Sequence, residues 1–220
     1  MSNYKGIIFD LDGVICHTDC YHYQAWKAIA DELGIYFDEK INNRLRGVSR
    51  MDSLEILLER HEGTPFTQEE KNKLAEKKNE IYVSLLQNMQ KEDLSEEVKD
   101  TLEVLKKAGI KIAIGSSSKN AKLILYRLGL ENFFDAVSDG NNISKSKPDP
   151  EVFLCAAKYL NLAPEECLVV EDAKAGIEAA KRGGFASAGI GEASEEGVAD
   201  YPLQRFSDLL VIAGDIDDRK

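Results

Sequence analysis

Two aspartates separated by one leucine, Asp10 and Asp12, end an apolar run that begins at Gly6. Alternate residues of a β-strand share a face, so the two carboxylates can converge while Leu11 turns the other way. Close anions repel each other and resist burial unless a cation lies between them. A hard divalent ion with oxygen ligands, Mg²⁺ above all, suits such a pair. The alternative is an Asp-Leu-Asp-Gly turn in which both acids are solvated.

Later segments add other polar groups that suit phosphate chemistry. Three serines at positions 116–118 follow an apolar run, and their hydroxyls, with the free N–H groups of a following helix, could hold a phosphate. Lys147 offers positive charge for phosphoryl oxygens, and Glu171 and Asp172 offer metal ligands. A carboxylate such as that of Asp10 can accept a phosphoryl group while its neighbour moves the proton.

Each of these groups also has an ordinary structural explanation. Serines before a helix are often helix caps, and an isolated lysine such as Lys147 is usually a solvated surface charge. Asp172 could be the N-cap of a helix that starts at Ala173. Each of these groups lies directly after a predicted strand or in a loop. Their joint order along the chain indicates a phosphoryl-transfer site much more specifically than any one group alone.

The cysteines are too few and too scattered for a disulfide scaffold, which favours a reducing cytoplasm. They are Cys16, Cys20, Cys155 and Cys167. Two of them lie close in sequence to His17 and His22, so a zinc site is an alternative for this segment. The spacing matches no standard zinc finger, and no second Cys/His pair follows it.

The periodicity of the chain indicates which elements position these groups. Residues 22–89 are helical by pattern without a convincing strand, and Thr67 begins a capping box that opens a long polar helix ending near Asn88. After Leu94, the pattern predicts helices over 98–107, 121–128 and 173–182, strands over 110–114, 136–138 and 167–170, and a helix with Pro150 at its first position. This alternation predicts an α/β fold, a Rossmann-like parallel sheet with helices on both faces and ligands beyond the carboxyl ends of its strands. We expect a catalytic core domain of residues 1–17 and 90–220, and a helical cap domain of residues 18–89, called the insert below.

Composition restricts the class of partner. The 220 residues are 43% hydrophobic and carry a formal net charge of −11, a field that repels nucleic acid and anionic membranes. No apolar run approaches the roughly 20 residues that span a bilayer, and the first five residues lead straight into a strand with no signal peptide. We expect a cytoplasmic monomer that acts on a small molecule, with a local basic cluster for any phosphate.

The sequence resembles the haloacid dehalogenase superfamily of phosphotransferases. The motifs are Asp10-Leu11-Asp12-Gly13, then Ser116 at a strand end, then Lys147-Pro148, then Glu171-Asp172. They occur in the superfamily's order and span essentially the whole chain, with a helical insert after the first motif. The second aspartate favours transfer to and from oxygen, because dehalogenases and phosphonate hydrolases of the superfamily lack an acid there.

The resemblance implies a role for each motif residue. Asp10 would be the phosphorylated nucleophile and Asp12 the general acid and base. Mg²⁺ would be held by Asp10, the main chain of Asp12 and Asp172, with Glu171 in support. Ser116 and Lys147 would bind the transferring phosphoryl group, with Thr18 near the nucleophile loop.

Other segments resemble the superfamily members that move a phosphoryl group between two positions of one sugar. Arg50 would grip the phosphate that does not react, and His22 would link closure of the insert to proton transfer. The remaining substrate-binding residues implied are Trp26, Arg46, Gly47, Val48, Ser49, Ser53, Lys78, Asn79, Ser117, Ser118, Lys119 and Asn120. The alternative for the basic residues of the insert is that Arg44, Arg46, Arg50 and Lys78 are ordinary exposed helix charges. Arg46 and Arg50 bracket a Gly-Val-Ser turn, however, and the arginine fork suits phosphate.

The leading expectation is conversion of β-glucose 1-phosphate to glucose 6-phosphate through a 1,6-bisphosphate. Closure of the insert over the core would exclude water and hold a sugar hydroxyl in line. One alternative is a Mg²⁺-dependent sugar-phosphate phosphatase that uses the same Asp10 and Asp12. Another is a non-catalytic protein that binds a sugar phosphate or a metal. The sequence leaves open whether the Lys147-Pro148 bond is cis.

Overall fold

A computed structural model describes residues 4–45, 48–195 and 197–214. In these ranges six strands form one sheet in the order β3-β2-β1-β4-β5-β6, and every neighbouring pair is parallel. The strands are β1 (Gly6–Phe9), β2 (Lys111–Gly115), β3 (Ala136–Ser138), β4 (Cys167–Glu171), β5 (Ala186–Gly189) and β6 (Tyr201–Pro202). The predicted parallel α/β sheet is confirmed, and β5 and β6 extend it beyond the sequence prediction.

Ten α-helices accompany the sheet in the described ranges. Those before β2 are α1 (Asp19–Glu32), α2 (Glu39–Asn43), α3 (Arg50–Leu58), α4 (Gln68–Leu86) and α5 (Glu96–Lys107). The others are α6 (Ala121–Arg127), α7 (Glu151–Leu160), α8 (Lys174–Arg182), α9 (Glu192–Glu195) and α10 (Leu209–Ile212). The capping box at Thr67 is present. Pro150 directly precedes α7 instead of being its first residue, and Asp149 before it accepts a hydrogen bond from the Glu151 N–H.

The central strands are buried on both faces, as expected for a parallel sheet covered by helices. Ile7 and Phe9 of β1 belong to one hydrophobic cluster, whereas Ile8 between them belongs to a second cluster on the opposite face. Successive side chains of β1 therefore lie on opposite faces of the sheet, as the period of two predicts.

The helices between β1 and α5 have a hydrophobic cluster of their own. Trp26 and Ile29 of α1 pack with Leu54 and Leu57 of α3 and with Ala75 of α4, and all five are buried. A hydrophobic cluster of this kind stabilises the packing of these helices against one another. The boundaries at residues 18 and 89 remain a prediction.

Two further features concern membrane spans and the state of the cysteines. No helix in the described ranges combines the length and the apolar character needed to cross a bilayer. All four cysteines are free thiols, and two of them, Cys16 and Cys167, are buried.

Candidate active site

A cavity of about 600 Å³ lies where the carboxyl ends of β1, β2 and β4 face helices α1, α3 and α4. Its walls contain most of the residues predicted from the sequence. They are Asp10, Asp12, His22, Trp26, Val48, Ser49, Arg50, Ser53, Lys78, Asn79, Ser116, Ser117, Ser118, Lys119, Asn120, Lys147, Glu171 and Asp172. Thr18 is fully buried behind the wall, and Arg46 and Gly47 lie outside the described residues. Core and insert therefore contribute to one cavity.

Lys147 is the cation between two acids of the core. Its Nζ donates hydrogen bonds to Oδ1 of Asp10 and to Oε1 of Glu171, and its side chain is 3% exposed. Burial lowers the pKa of Lys147, but the two carboxylates raise it more strongly, so the ammonium stays charged. Burial and the charge of Asp10 raise the pKa of Glu171 to about 6, although Lys147 opposes them. The alternative of a solvated surface lysine is therefore wrong. The Lys147-Pro148 bond is cis.

Three carboxylates at this edge could hold a divalent cation. Ligand oxygens of Asp10, Glu171 and Asp172 lie within 4.8 Å of one another, and all three residues are buried. An all-oxygen, acidic donor set of this kind suits a hard cation. Asp172 is not the N-cap of α8, since Ala173 takes that position. In the described ranges the Cys/His segment after Asp12 forms no such group, so nothing supports the zinc alternative.

Asp12 is held apart from this acidic group. The backbone N–H of Thr18 donates to its Oδ1 at 2.7 Å, and Nε2 of His22 lies 3.8 Å from its Oδ2. Burial and the charges of Asp19 and Asp10 raise the pKa of Asp12 to about 7, although the hydrogen bonds from Thr18 oppose the shift. A carboxyl with such a pKa can both take up and release a proton near neutral pH.

Lys78 lies in an aromatic pocket of the insert, beside His22. Its Nζ is 2.8 Å from Nδ1 of His22 and lies over the rings of Trp26 and Tyr82, 5.0 and 4.6 Å from their centroids. Burial and the nearby Arg50 lower the pKa of Lys78 to about 7. Burial and the charge of Lys78 also hold the pKa of His22 well below its usual value. When Lys78 is protonated, Nδ1 accepts, so the neutral imidazole carries its proton on Nε2, which faces Asp12.

Arg50 and Asn120 both donate a hydrogen bond to the side chain of Asn79 in the insert. Oδ1 of Asn79 accepts hydrogen bonds from Nη2 of Arg50 at 2.9 Å and from Nδ2 of Asn120 at 2.8 Å. Arg50 belongs to α3, Asn79 to α4 and Asn120 to the core, so this contact joins the insert to the core. Arg50 and Lys78 are thus not ordinary exposed helix charges, because both line the cavity and Lys78 is buried.

The loop of residues 116–118 is held in shape by the hydroxyl groups of its own serines. Oγ of Ser116 accepts from the Ser118 N–H at 3.2 Å, and Oγ of Ser118 accepts from the Asn120 N–H at 3.1 Å. The serines therefore shape the loop before α6, whose N-cap is Asn120 without a side-chain cap bond. Oγ of Ser117 is buried and has no hydrogen-bond partner in the described part of the chain. It remains available to a group that enters the cavity.

Sequence reasoning missed several residues of the cavity, of which Tyr82 is the most closely involved. Its ring stacks on His22 with centroids 4.1 Å apart, and its hydroxyl donates to Oγ1 of Thr18 at 2.9 Å. Tyr82 lies four residues after Lys78, and that helical spacing places both on one face of α4. Asn72 and Glu76 of the same helix also line the cavity.

Comparison with known proteins gives consistent matches over most of the chain. The family profile described as haloacid dehalogenase-like hydrolase matches residues 4–184. The chain is 43% identical over 208 residues to a β-phosphoglucomutase of Bacillus subtilis strain 168, with 94% of this chain and 92% of that protein covered. It is 33% identical over 183 residues to a phosphorylated carbohydrates phosphatase of Thermotoga maritima, with 82% of each covered. A crystal structure of β-phosphoglucomutase from Clostridium difficile matches with a TM-score of 0.86 and 39% identity, over 93% of this chain and 92% of that one.

Proposed function

The chain belongs to the haloacid dehalogenase-like hydrolase family, and on that basis we propose that it is a phosphomutase that interconverts β-glucose 1-phosphate and glucose 6-phosphate. The observation that carries the proposal is the joint cavity, in which the acids of the core face Arg50 and Lys78 of the insert. A simple hydrolase needs only the core half of this arrangement. A mutase must also hold a sugar and its second phosphate.

In the proposed cycle the phosphoryl group travels through Asp10. Asp12 takes the proton from the 6-hydroxyl of β-glucose 1-phosphate while that oxygen attacks phosphorylated Asp10, which gives the 1,6-bisphosphate and free Asp10. After the bisphosphate reorients, Asp10 attacks the phosphorus at position 1. Asp12 returns its proton to the departing sugar oxygen, which yields glucose 6-phosphate and phosphorylated Asp10. The pKa of Asp12, about 7, supports both proton transfers.

We propose that Mg²⁺ is the cofactor and that Asp10, the main chain of Asp12 and Asp172 hold it with support from Glu171. When bound, Mg²⁺ would supply positive charge for the oxygens of the transferring phosphoryl group. The buried group of Asp10, Glu171 and Asp172 supports this assignment. Lys147 holds Asp10 in place and adds a second positive charge beside it.

Arg50 is the proposed contact for the phosphate that does not react. It is half-buried, and that burial lowers the pKa of its guanidinium, which nevertheless stays charged. A phosphate bound between Arg50 and the loop at Asn120 would draw the insert onto the core and exclude water. The other proposed substrate contacts are those predicted from the sequence, with Ser116 at the transferring phosphoryl group.

The second candidate function is a sugar-phosphate phosphatase. The similarity to the phosphatase of Thermotoga maritima supports it, because phosphorylated Asp10 can be attacked by water as well as by a sugar. The two functions share the core chemistry and differ in how well the insert excludes water. A non-catalytic binding protein remains a more distant alternative.

Phosphorus NMR distinguishes these functions. The protein is incubated with β-glucose 1-phosphate, Mg²⁺ and a trace of the 1,6-bisphosphate. We expect the 6-phosphate to accumulate, and Asp10→Asn to abolish the conversion. Free phosphate as the sole product of the wild type would support the phosphatase instead. Turnover that survives in Asp10→Asn would exclude Asp10 as the nucleophile, and an absence of all turnover would leave the binding protein.

We propose a cytoplasmic monomer composed of a core (residues 1–17 and 90–220) and a helical cap domain (residues 18–89). The separate hydrophobic cluster of the insert supports this division. Arg46 and Gly47 stay proposed substrate contacts from the sequence alone.

A further inference from the structure

Arg127, the last residue of α6, holds the point at which the chain leaves the insert and returns to the core. Its Nε donates to the carbonyl oxygen of Met89 at 2.9 Å, and its Nη2 donates to the same oxygen at 2.6 Å. Nη2 also donates to the carbonyl oxygen of Gln87. Gln87 is the C-cap of α4, so the guanidinium satisfies carbonyl groups that a helix end leaves without partners.

The opposite end of α6 also contacts α4. Asn120, the N-cap of α6, donates to Asn79 inside α4. Asn79 and Gln87 are eight residues apart, and Asn120 and Arg127 are seven apart, which corresponds to about 10–12 Å along either helix. One short helix of the core is therefore bonded to α4 at two levels, one at the cavity and one at the exit from the insert.

These two contacts differ in what surrounds them. Asn79 and Asn120 line the cavity, where a ligand can replace their hydrogen bond. Met89 is 1% exposed and belongs to the same hydrophobic cluster as Leu125 and Leu128 near Arg127. The first contact can open and close with the insert, whereas the second is anchored on Met89 in packed structure and suits a pivot.

The surrounding chain reinforces this pivot. The aliphatic part of the Lys91 side chain, in the segment that follows Met89, lies over the turn after α6, where a Cβ atom on Gly129 would be 3.0 Å from Cε of Lys91. The pivot thus has the hydrogen bonds of Arg127 on one side and the contact of the Lys91 side chain with Gly129 on the other.

We propose that Arg127 is a positioning residue that fixes the pivot of the insert and thereby determines how often the phosphoryl group of Asp10 goes to a sugar hydroxyl instead of to water. The inference rests on the proposed function, because it concerns the partition of phosphorylated Asp10. Arg127 does not line the cavity. It acts through the path of α4, which carries Lys78 and Asn79 into the cavity, and a shift of about 1 Å in such groups can strongly change the rate of transfer.

The test compares three variants. Arg127→Met removes all donors, Arg127→Lys keeps the charge without the planar fork, and Lys122→Met removes an exposed charge from the same helix as a matched control. For each, glucose 6-phosphate formed and inorganic phosphate released are measured from β-glucose 1-phosphate with Mg²⁺ and a trace of bisphosphate. We expect the ratio of transfer to hydrolysis to fall about tenfold in Arg127→Met, to fall less in Arg127→Lys and to be unchanged in Lys122→Met.

An equal loss of transfer and hydrolysis, with the ratio unchanged in both Arg127 variants, would show a merely structural role and overturn the inference. Amide hydrogen exchange supplies an independent readout that needs no turnover. We expect faster exchange in residues 87–94 of Arg127→Met but not of Lys122→Met, and unchanged exchange would also overturn the inference. Release of phosphate alone by the wild type would refute the proposed mutase function, and the exchange result would still decide whether Arg127 holds the pivot.

Discussion

Gly13 lies so close to Asp172 that a Cβ atom at position 13 would collide with the Oδ2 atom of that carboxylate. The backbone φ angle of Gly13 is 90°, a value that side-chain-bearing residues rarely adopt. The loop after β1 and the acid after β4 are therefore fitted to each other, and the acidic group depends on a residue without a side chain.

The first prediction concerns this contact. In Gly13→Ala we expect the Mg²⁺ concentration for half-maximal activity to rise at least about tenfold, because displaced metal ligands commonly weaken binding by that factor. Gly34→Ala is the matched control, since Gly34 has a φ of 68° but no atom within 4 Å of its Cβ position. Both variants should lose about 1 kcal/mol of stability through backbone strain. An equal Mg²⁺ requirement in the two would contradict the prediction.

The second prediction separates transfer from hydrolysis. Arg50→Ala should lower glucose 6-phosphate formation by about 100-fold, because loss of a charge-assisted contact in a closed site removes on the order of 2–3 kcal/mol. Hydrolysis of p-nitrophenyl phosphate should change little, since that small ester has no second phosphate. Arg60→Ala removes an exposed arginine of the insert that does not line the cavity and serves as the control. A parallel loss of both activities in Arg50→Ala would count against the assignment.

The third prediction concerns the carboxyl of Asp12, whose pKa is raised from 3.8 to about 7 by burial. Carbon NMR of carboxyl-labelled aspartate in the metal-free protein should show one group that titrates near pH 7 and is absent from Asp12→Asn. The folded state holds this proton more tightly than the unfolded state. The free energy of unfolding should therefore decrease as pH rises between about 4 and 7. That decrease should be smaller in Asp12→Asn, and an identical pH profile would refute the prediction.

The fourth prediction has the opposite sign and concerns Lys78. Its pKa falls from 10.5 to about 7 on folding, so the unfolded state binds the proton more tightly. The free energy of unfolding of the wild type should rise between about pH 7 and 9.5, relative to Lys78→Met, by on the order of 2 kcal/mol. Urea denaturation at the two pH values measures this difference. Lys77→Met, which removes a solvent-facing neighbour paired with Glu32, should keep the wild-type rise.

The sequence was sufficient to predict the core half of the site. Asp10, Ser116 and Asp172 each follow an apolar segment, and the carboxyl ends of parallel strands meet at one edge, so their convergence needed only the sheet. The segment of β5 was not predicted, because Ala186–Gly189 contains no β-branched or aromatic residue. It is a strand because β4 offers it a row of backbone partners.

Contacts between side chains distant in sequence could not be predicted in this way. Two hydrogen bonds depend on how the insert is oriented on the core. One joins Tyr82 to Thr18, and the other joins Arg127 to the carbonyl oxygen of Met89. Neither leaves a periodic signal, because each joins one side chain to one atom far away in the chain. The pKa of Lys78 has the same origin, since it follows from burial that only the packed structure reveals.

The position of Lys147 between Asp10 and Glu171 affects whether the protein needs bound metal in order to fold. A buried acidic cluster at the carboxyl edge of a sheet would ordinarily make folding depend on its counter-cation. Here the ammonium group of Lys147 supplies positive charge beside Asp10 and Glu171, so the chain can fold before it binds a metal ion. We expect a chelator to silence the enzyme without unfolding it, and added metal to restore it without a refolding delay. The concentration of the metal ion then determines how many molecules are active, whereas the number of folded molecules stays the same.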